Sequence, residues 1–256
     1  MPVAVWFILI SAAWVAFAFL ARALLDNPRA EPGFGLVWLL GRIYAIGVHR
    51  LRVIGVENIP KGIDAGPLIV VANHTAGVDP VLVQMPCAFE IRWLMAQDMR
   101  HPWGEWLWRL AGVIFVSRQG DEIAGVREAI RHLRDGGVIG VFPEGGIARP
   151  RGTVRPFLPG VGLLIKKSGA PVLPVVVEGT PDVDPAWDSI KQFSRSVVTF
   201  MPPIQYRGSG LGAAEIAEDL RSRFEGWIKG DPDDSALIGA ETSGLIGPRG
   251  ALRRPA

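Results

Sequence analysis

The chain has 256 residues, of which 49% are hydrophobic and 20% are charged. This composition excludes intrinsic disorder and is unusually apolar for a cytosolic enzyme with a fully hydrated surface. The formal charge of +2 is too small for nucleic-acid binding through an overall positive field. A single cysteine, Cys87, excludes an internal disulfide, and the four histidines lack the HExxH spacing, so we expect neither a metal nor a cofactor.

The N-terminal segment predicts a membrane anchor over residues 1–25. No charged side chain occurs from Pro2 to Ala21, and a helix of that length spans about 30 Å, the thickness of a bilayer core. A cleaved signal peptide and a buried helix are the alternatives, but no basic residues precede the apolar run. Arginines follow it closely, at Arg22, Arg29, Arg42, Arg50 and Arg52. The positive-inside rule therefore predicts that the rest of the chain faces the cytoplasm.

A second apolar stretch, residues 33–49, is shorter and is interrupted by Arg42. It is too short to span a bilayer comfortably. Its Trp38 and Tyr44 suit either a helix at the membrane interface or a helix packed on the core. The amphipathic pattern favours the interfacial helix.

Residues 50–229 alternate β-branched apolar runs with helical patterns, which predicts an α/β domain with a mixed, mostly parallel sheet flanked by helices. The predicted strands are Leu51–Val56, Leu68–Ala72, Ile91–Met95, Val113–Val116, Val138–Phe142, Val172–Val177 and Val197–Met201. The predicted helices are Asp79–Cys87, Trp103–Leu110, Asp121–Arg134, Gly160–Lys167 and Ala213–Lys229. Residues 230–256 lack periodicity and are predicted to form a flexible C-terminal tail.

The sequence Asn-His-Thr-Ala-Gly-Val-Asp-Pro directly follows the buried strand that ends at Ala72. In open α/β sheets, sites form where the chain leaves the carboxyl end of a strand. Asp79 could orient the ring of His74 through one nitrogen while the other accepts a proton from a substrate hydroxyl. The alternative is structural, since Asp79-Pro80 also suits a helix N-cap with a first-turn proline.

Two more charged residues follow predicted strands, Arg118 and Glu144. Parallel strands would bring both to the same edge of the sheet as His74, although each could also be a solvated loop charge. Between Gly145 and Val177 there is no acidic residue, whereas cations occur at Arg149, Arg151, Arg155, Lys166 and Lys167. This segment predicts binding of an anionic headgroup, with a merely solvated basic loop as the alternative.

Four segments resemble, in order and approximate spacing, the four conserved blocks of the glycerolipid acyltransferase family, which includes 1-acylglycerol-3-phosphate and other lysophospholipid acyltransferases. They are NHTAGVDP, GVIFVSR, FPEG and APVLPV, and the resemblance covers roughly residues 50–200. It implies a general base at His74 oriented by Asp79. It also implies substrate binding by the second and third blocks, at Phe115, Arg118, Glu144, Gly145 and Gly146.

One position departs from the family pattern. The family usually continues Thr-Arg after FPEG, whereas Gly146-Ile147 follows here, so an expected phosphate-binding arginine is missing. Arg149 or Arg151 could replace it. The acceptor is then a lysolipid such as 1-acylglycerol-3-phosphate, or alternatively lysophosphatidylethanolamine or a lyso-ornithine lipid.

The resemblance implies a membrane-associated O-acyltransferase that uses acyl-CoA or acyl carrier protein as donor and membrane lysophospholipids as acceptors. No G-x-S-x-G motif occurs, which favours direct attack by the acceptor over an acyl-enzyme. The tryptophans Trp103, Trp106 and Trp108 could line a lipid entrance or belong to the core. Other possibilities are a phospholipid transacylase or hydrolase, a catalytically inactive scaffold and, from the Gly208–Ala213 pattern, a nucleotide-binding module.

Overall fold

The computed structural model describes residues 2–117 and 122–230. Two helices open the chain, α1 (Val3–Leu25) and α2 (Pro32–Gly47). The strands of the described residues are β1 (Arg52–Ile54), β2 (Leu68–Ala72), β3 (Arg92–Ala96), β4 (Ile114–Val116), β5 (Val138–Val141), β6 (Val172–Glu178) and β7 (Val197–Phe200). The further helices are α3 (Asp79–Gln84), α4 (Glu105–Leu110), α5 (Glu122–Arg134), α6 (Pro159–Ser168) and α7 (Ala213–Lys229).

Within the described residues the strands form one sheet of seven in the order β1-β7-β6-β2-β5-β3-β4. Every neighbouring pair is parallel except β6 and β7, which are antiparallel. The predicted mixed, mostly parallel sheet is therefore confirmed. Because β2, β5, β3 and β4 run in the same direction, the turns that follow them lie along one edge of the sheet.

Helices cover both faces of this sheet, and β2 shows why. All five of its residues are buried. Val70 and Ala72 belong to a hydrophobic cluster that includes residues of α2 and α3, whereas Ile69 and Val71 belong to a second cluster with residues of α5, α6 and α7. Alternate side chains of a strand point to opposite faces, so a continuous apolar run indicates a strand buried on both sides.

Helix α1 contributes no buried residue to the body of the protein. It has 23 residues and a mean hydropathy of 2.4, so it is long and apolar enough to cross a membrane. The alternative of a buried N-terminal helix is therefore wrong. Three side chains of α2 are buried, Phe34, Trp38 and Ala45, and Ala45 belongs to the hydrophobic cluster beside β2. Its other face is exposed and apolar, with Leu36, Val37, Leu40, Ile43 and Ile46.

Two predicted helices differ from the observed ones by two or more residues at one end. Helix α3 ends at Gln84 instead of Cys87, because Pro86 lacks an amide hydrogen and cannot continue the hydrogen bonding of the helix. Helix α4 begins at Glu105, since residues 102–104 form a separate 3₁₀ turn. Of the tryptophans in this region, Trp108 is buried against Trp187, whereas Trp106 is 63% exposed. The predicted tail lies outside the described residues from residue 231 onward.

Candidate active site

His74 and Asp79 form a hydrogen-bonded pair at the turn after β2. The Nδ1 atom of His74 lies 2.9 Å from Oδ2 of Asp79, and the Asp79 side chain is fully buried whereas 19% of the His74 side chain is exposed. An ionised carboxylate only accepts hydrogen bonds, so Nδ1 carries the hydrogen and Nε2 of the neutral ring is the basic nitrogen. The sequence-predicted pair therefore has the geometry that a general base and an orienting carboxylate require, and its catalytic role stays a prediction.

The Asp79 carboxylate is held by the turn that precedes it. The amide hydrogens of Thr75 and Ala76 are donated to Oδ2 over 2.6 and 2.8 Å, and the Thr75 hydroxyl lies 3.2 Å from Oδ1. The alternative role of Asp79 as an N-cap is wrong, because α3 begins at Asp79 itself and Val78 is the capping position. The carboxylate is directed back to the turn, which fixes it beside His74.

Two further polar contacts fix this turn to β6. Asn73 is buried, and its side-chain amide both donates to the carbonyl of Val177 (2.9 Å) and accepts the Val177 amide hydrogen (2.7 Å). The hydroxyls of Thr75 and Thr180 lie 2.7 Å apart. Asn73 thus pairs with β6 much as another strand residue would, and the backbone before His74 has little freedom to move.

Glu144 joins three segments through its buried carboxylate. Its Oε1 accepts the amide hydrogen of His74 over 2.8 Å, and its Oε2 accepts that of Arg155 over 2.8 Å. Burial raises the pKa of this carboxyl, and the two backbone hydrogen bonds oppose that shift. As predicted, His74 and Glu144 lie close together at one edge of the sheet. Substrate binding by Glu144 stays a prediction, since both of its oxygens already hold the backbone of the site.

Aromatic rings cover one face of the histidine. The ring of Phe142 stacks on His74 with centroids 4.2 Å apart, and Trp93 stacks on the other side of Phe142 at 4.7 Å. Stacked aromatic pairs contribute about 0.5–1.5 kcal/mol beyond their buried area. The sequence did not identify the rings of Trp93 and Phe142 as part of the site, because the stacking of Trp93 on Phe142 and of Phe142 on His74 depends on the order of β3, β5 and β2 in the sheet.

Arg149 and Arg151 lie at the border of the site and share one acidic partner. Their Nε atoms lie 3.1 and 3.3 Å from the two oxygens of Asp182. Arg149 also donates to the carbonyl of Thr75 over 3.0 Å, and Arg151 donates to the carbonyl of Thr180. Both arginines are thus already paired, and their role in headgroup binding stays a prediction.

The remaining predicted site residues are distributed as follows. Phe115 lies on β4, three strands from β2 and so about 14 Å across the sheet, with the guanidinium of Arg100 over its ring at 4.8 Å. Gly145 has φ 65° and donates its amide hydrogen to the carbonyl of Phe142. Arg118 lies outside the described residues.

Cys87 is not placed for nucleophilic catalysis. It is buried, it donates to the carbonyl of Val83, and burial raises the pKa of its thiol well above the usual range. A thiolate is the reactive form of cysteine, so this side chain is inert near neutral pH. Among residues 2–117 and 122–230, no three His, Cys, Asp or Glu side chains cluster closely enough to hold a metal ion.

Comparison with known proteins gives a consistent result. The model of a family described as Acyltransferase matches residues 50–178. A 1-acyl-sn-glycerol-3-phosphate acyltransferase of Borreliella burgdorferi is 35% identical over 150 residues, which are 56% of this chain and 54% of that protein. An N-acylphosphatidylethanolamine synthase of Arabidopsis thaliana is 30% identical over 135 residues, 48% of this chain and 45% of that protein. The chain thus matches about half the length of these curated relatives.

Among solved structures, the fold is similar to that of the 1-acyl-sn-glycerophosphate acyltransferase PlsC from Thermotoga maritima. The TM-score is 0.62 and the sequence identity is 24%, over 77% of this chain and 78% of that one. At this identity the likeness establishes the fold. The fold, the family match and the relatives agree with the resemblance drawn from the four sequence segments.

Proposed function

The chain belongs to the Acyltransferase family, and we propose that it moves a fatty acyl group from an acyl thioester to the free hydroxyl of a lysophospholipid. Acyl-CoA or acyl carrier protein would serve as donor, and 1-acylglycerol-3-phosphate, the substrate in the name of the Borreliella relative, as acceptor. The observation that carries the proposal is the His74–Asp79 pair, with Nδ1 bonded to a buried carboxylate.

Nε2 of His74 takes the proton of the acceptor hydroxyl as its oxygen attacks the thioester carbonyl carbon. The tetrahedral intermediate collapses, the carbon–sulfur bond breaks, and the thiolate leaves and receives the proton from Nε2. The products are the diacyl lipid and the free thiol. Asp79 stabilises the imidazolium that exists between the two proton transfers. Because Cys87 is inert, direct attack by the acceptor accounts for the chemistry without an acyl-enzyme.

The turn after β5 offers a donor for the developing oxyanion. Of its two glycines, Gly145 already donates its amide hydrogen to Phe142, whereas the amide of Gly146 has no acceptor among the described residues. A backbone amide directed at the tetrahedral oxygen stabilises the transition state without reorganisation. We therefore assign this role to Gly146 in preference to Gly145.

Helix α1 would anchor the enzyme in the membrane that contains its acceptor. The exposed apolar face of α2 would then lie at the membrane interface, and the arginines after α1 would hold the catalytic domain on the cytoplasmic side. A lysolipid could reach His74 from the leaflet. Trp106, which is 63% exposed, is suited to the same interface.

A second candidate is suggested by the Arabidopsis relative and by Ile147. That relative's name specifies an N-acylated phosphatidylethanolamine as the product, and Ile147 stands where the family usually has arginine. An acceptor other than 1-acylglycerol-3-phosphate, such as lysophosphatidylethanolamine, a lyso-ornithine lipid or phosphatidylethanolamine itself, is consistent with both observations. A phospholipid could also replace the acyl thioester as donor.

The test measures products from detergent-solubilised wild type and His74→Ala. Each is incubated with labelled acyl-CoA or acyl carrier protein and with a panel of lysolipids and phosphatidylethanolamine, and products are identified by mass spectrometry. We expect a diacyl lipid from the wild type and a loss of at least 100-fold in His74→Ala. His132→Gln is the matched control, since His132 contacts Gly137 before β5, at the opposite edge of the sheet. Equal rates for wild type and His74→Ala would refute the proposed base.

A further inference from the structure

Arg155 lies beside the turn that carries Glu144, although its place in the chain is eleven residues later. Its amide hydrogen is donated to Oε2 of Glu144 over 2.8 Å, and the amide hydrogen of Leu158 is donated to the carbonyl of Pro143 over 2.8 Å. Residues 155–158 therefore run along the Phe142–Gly146 turn. Phe157 is buried in the core, whereas Arg155 is exposed, so the backbone holds the arginine at the surface of the site.

The guanidinium reaches back over Gly146. A Cβ atom placed on Gly146 would lie 2.7 Å from Nη1 of Arg155, which is closer than a side chain tolerates. The absence of a side chain at Gly146 is what allows the guanidinium to lie against the backbone at this point. The positive charge is thereby brought next to the residue whose amide we assigned to the oxyanion.

Arg155 differs from the other two arginines of this segment in its charge environment. Arg149 and Arg151 are both paired with Asp182, whereas Arg155 forms no ion pair with any carboxylate of the described residues. Glu144 is the acid close by, and its oxygens are held by two backbone amides instead of the guanidinium. The planar donors of Arg155 are thus available for a ligand.

We propose that Arg155 binds the anionic phosphate of the acceptor headgroup. The inference rests on the proposed acyltransferase function and selects Arg155 from the five cations of the basic segment, a residue that the four-block pattern does not include. A guanidinium binds phosphate oxygens through two parallel hydrogen bonds, which fixes both position and orientation. Ile147 supplies no cation where the family usually has one, and Arg155 brings a guanidinium to the same turn.

The experiment compares the steady-state constants of wild type, Arg155→Gln and Arg155→Lys. With a phosphate-bearing lysolipid, we expect Arg155→Gln to raise the acceptor KM about 10- to 100-fold, the loss typical of a charge-assisted bidentate contact. The donor KM and the kcat at saturating acceptor should stay within about threefold, and Arg155→Lys should recover part of the loss. The control is Arg131→Gln, an exposed arginine on α5.

Gly146→Ala tests whether the position of the Arg155 guanidinium matters, because the charge itself is kept. The added methyl group keeps the amide hydrogen and the total charge but occupies the space of Nη1, so the acceptor KM should rise while the melting temperature stays the same. An unchanged acceptor KM in this variant would overturn the placement of the guanidinium.

Binding of glycerol 3-phosphate, measured by titration calorimetry, tests the inference independently of turnover. We expect weaker binding to Arg155→Gln than to wild type and to Arg131→Gln. If wild type forms no acyl product but this difference persists, the proposed function fails and the phosphate site stands. If wild type is active while Arg155→Gln matches it in acceptor KM and in phosphate binding, the inference is overturned and the proposed function stands.

Discussion

Replacing Asp79 with asparagine tests how far His74 depends on its buried partner. Alanine would be uninformative, because Oδ2 of Asp79 accepts from the His74 ring and from the amides of Thr75 and Ala76. A buried donor left without an acceptor costs about 1–3 kcal/mol, so three such losses approach the whole stability of a domain. Asparagine keeps the size and one acceptor oxygen, removes the charge and replaces the other oxygen with an amide donor.

The size of the effect follows from the charge that His74 gains during the reaction. The imidazolium and the Asp79 carboxylate are in direct contact, with Nδ1 and Oδ2 2.9 Å apart. Opposite charges about 4 Å apart attract by about 4 kcal/mol at the effective dielectric of a protein surface site. Each 1.36 kcal/mol is a factor of ten in rate. We therefore expect kcat to fall about 1000-fold in Asp79→Asn, with little change in the KM of either substrate.

The assay is acyl transfer at saturating donor and acceptor, together with thermal unfolding of each variant. Charge-assisted hydrogen bonds exceed neutral ones by about 1 kcal/mol, so the three contacts predict a loss of up to about 3 kcal/mol in unfolding free energy. Asp64→Asn, at an exposed acid before β2, is the control. A folded Asp79→Asn enzyme that retains a tenth or more of the wild-type kcat would refute the reasoning.

Two further predictions concern His49, which follows α2, and helix α1. Burial lowers the pKa of His49 below its ordinary value of 6.5, although Asp79 opposes the shift, so the unfolded chain takes up the proton first and stability falls as the pH drops below about 6.5. In His49→Gln the melting temperature should decrease less between pH 7.5 and 5.5 than in the wild type. Some decrease should remain, because burial also lowers the pKa of His132. An equal decrease in the two proteins would contradict this prediction. Deleting residues 2–21 should greatly weaken binding to phospholipid vesicles, leaving only the contribution of α2, because α1 is, among the described residues, the helix long enough to cross a membrane. Cooperative unfolding in detergent should stay intact, because α1 contributes no buried residue. A deletion variant that binds vesicles as strongly as the full chain, or that no longer unfolds cooperatively, would contradict this prediction.

Hydrophobic patterns and turn residues in the sequence predicted the strands and helices, because neighbouring residues largely determine these elements. The five apolar residues of β2 and the following His74 turn could be placed from the sequence, because a doubly buried strand needs a continuous apolar run. The end of α3 was missed by three residues although Pro86 indicated it. This error concerns a helix boundary, where the ends fray over one or two residues.

The contacts that complete the site join residues far apart in the chain and could not be predicted in this way. Asn73 pairs with Val177, 104 residues away, and His74 donates to Glu144, 70 residues away. Such contacts depend on the order of β6, β2 and β5 in the sheet, which residue spacing does not specify. For the same reason the sequence could not distinguish the paired arginines 149 and 151 from Arg155, since Asp182 lies beyond β6.

The two buried acids of the site, Asp79 and Glu144, are held by backbone amides and form no ion pair with an arginine among the described residues. Backbone amides donate to Asp79 and to Glu144, so both negative charges are stabilised by fixed peptide dipoles. An arginine paired with a buried acid would have its guanidinium inside the protein, where a lipid headgroup could not contact it. Asp182, an exposed acid at the border of the site, pairs with two arginines. Because Glu144 holds the backbone of His74 on one oxygen and that of Arg155 on the other, a single carboxylate sets the distance between the proposed base and the proposed phosphate ligand. A substitution at Glu144 should therefore disturb chemistry and headgroup binding together, whereas those at His74 and Arg155 separate them.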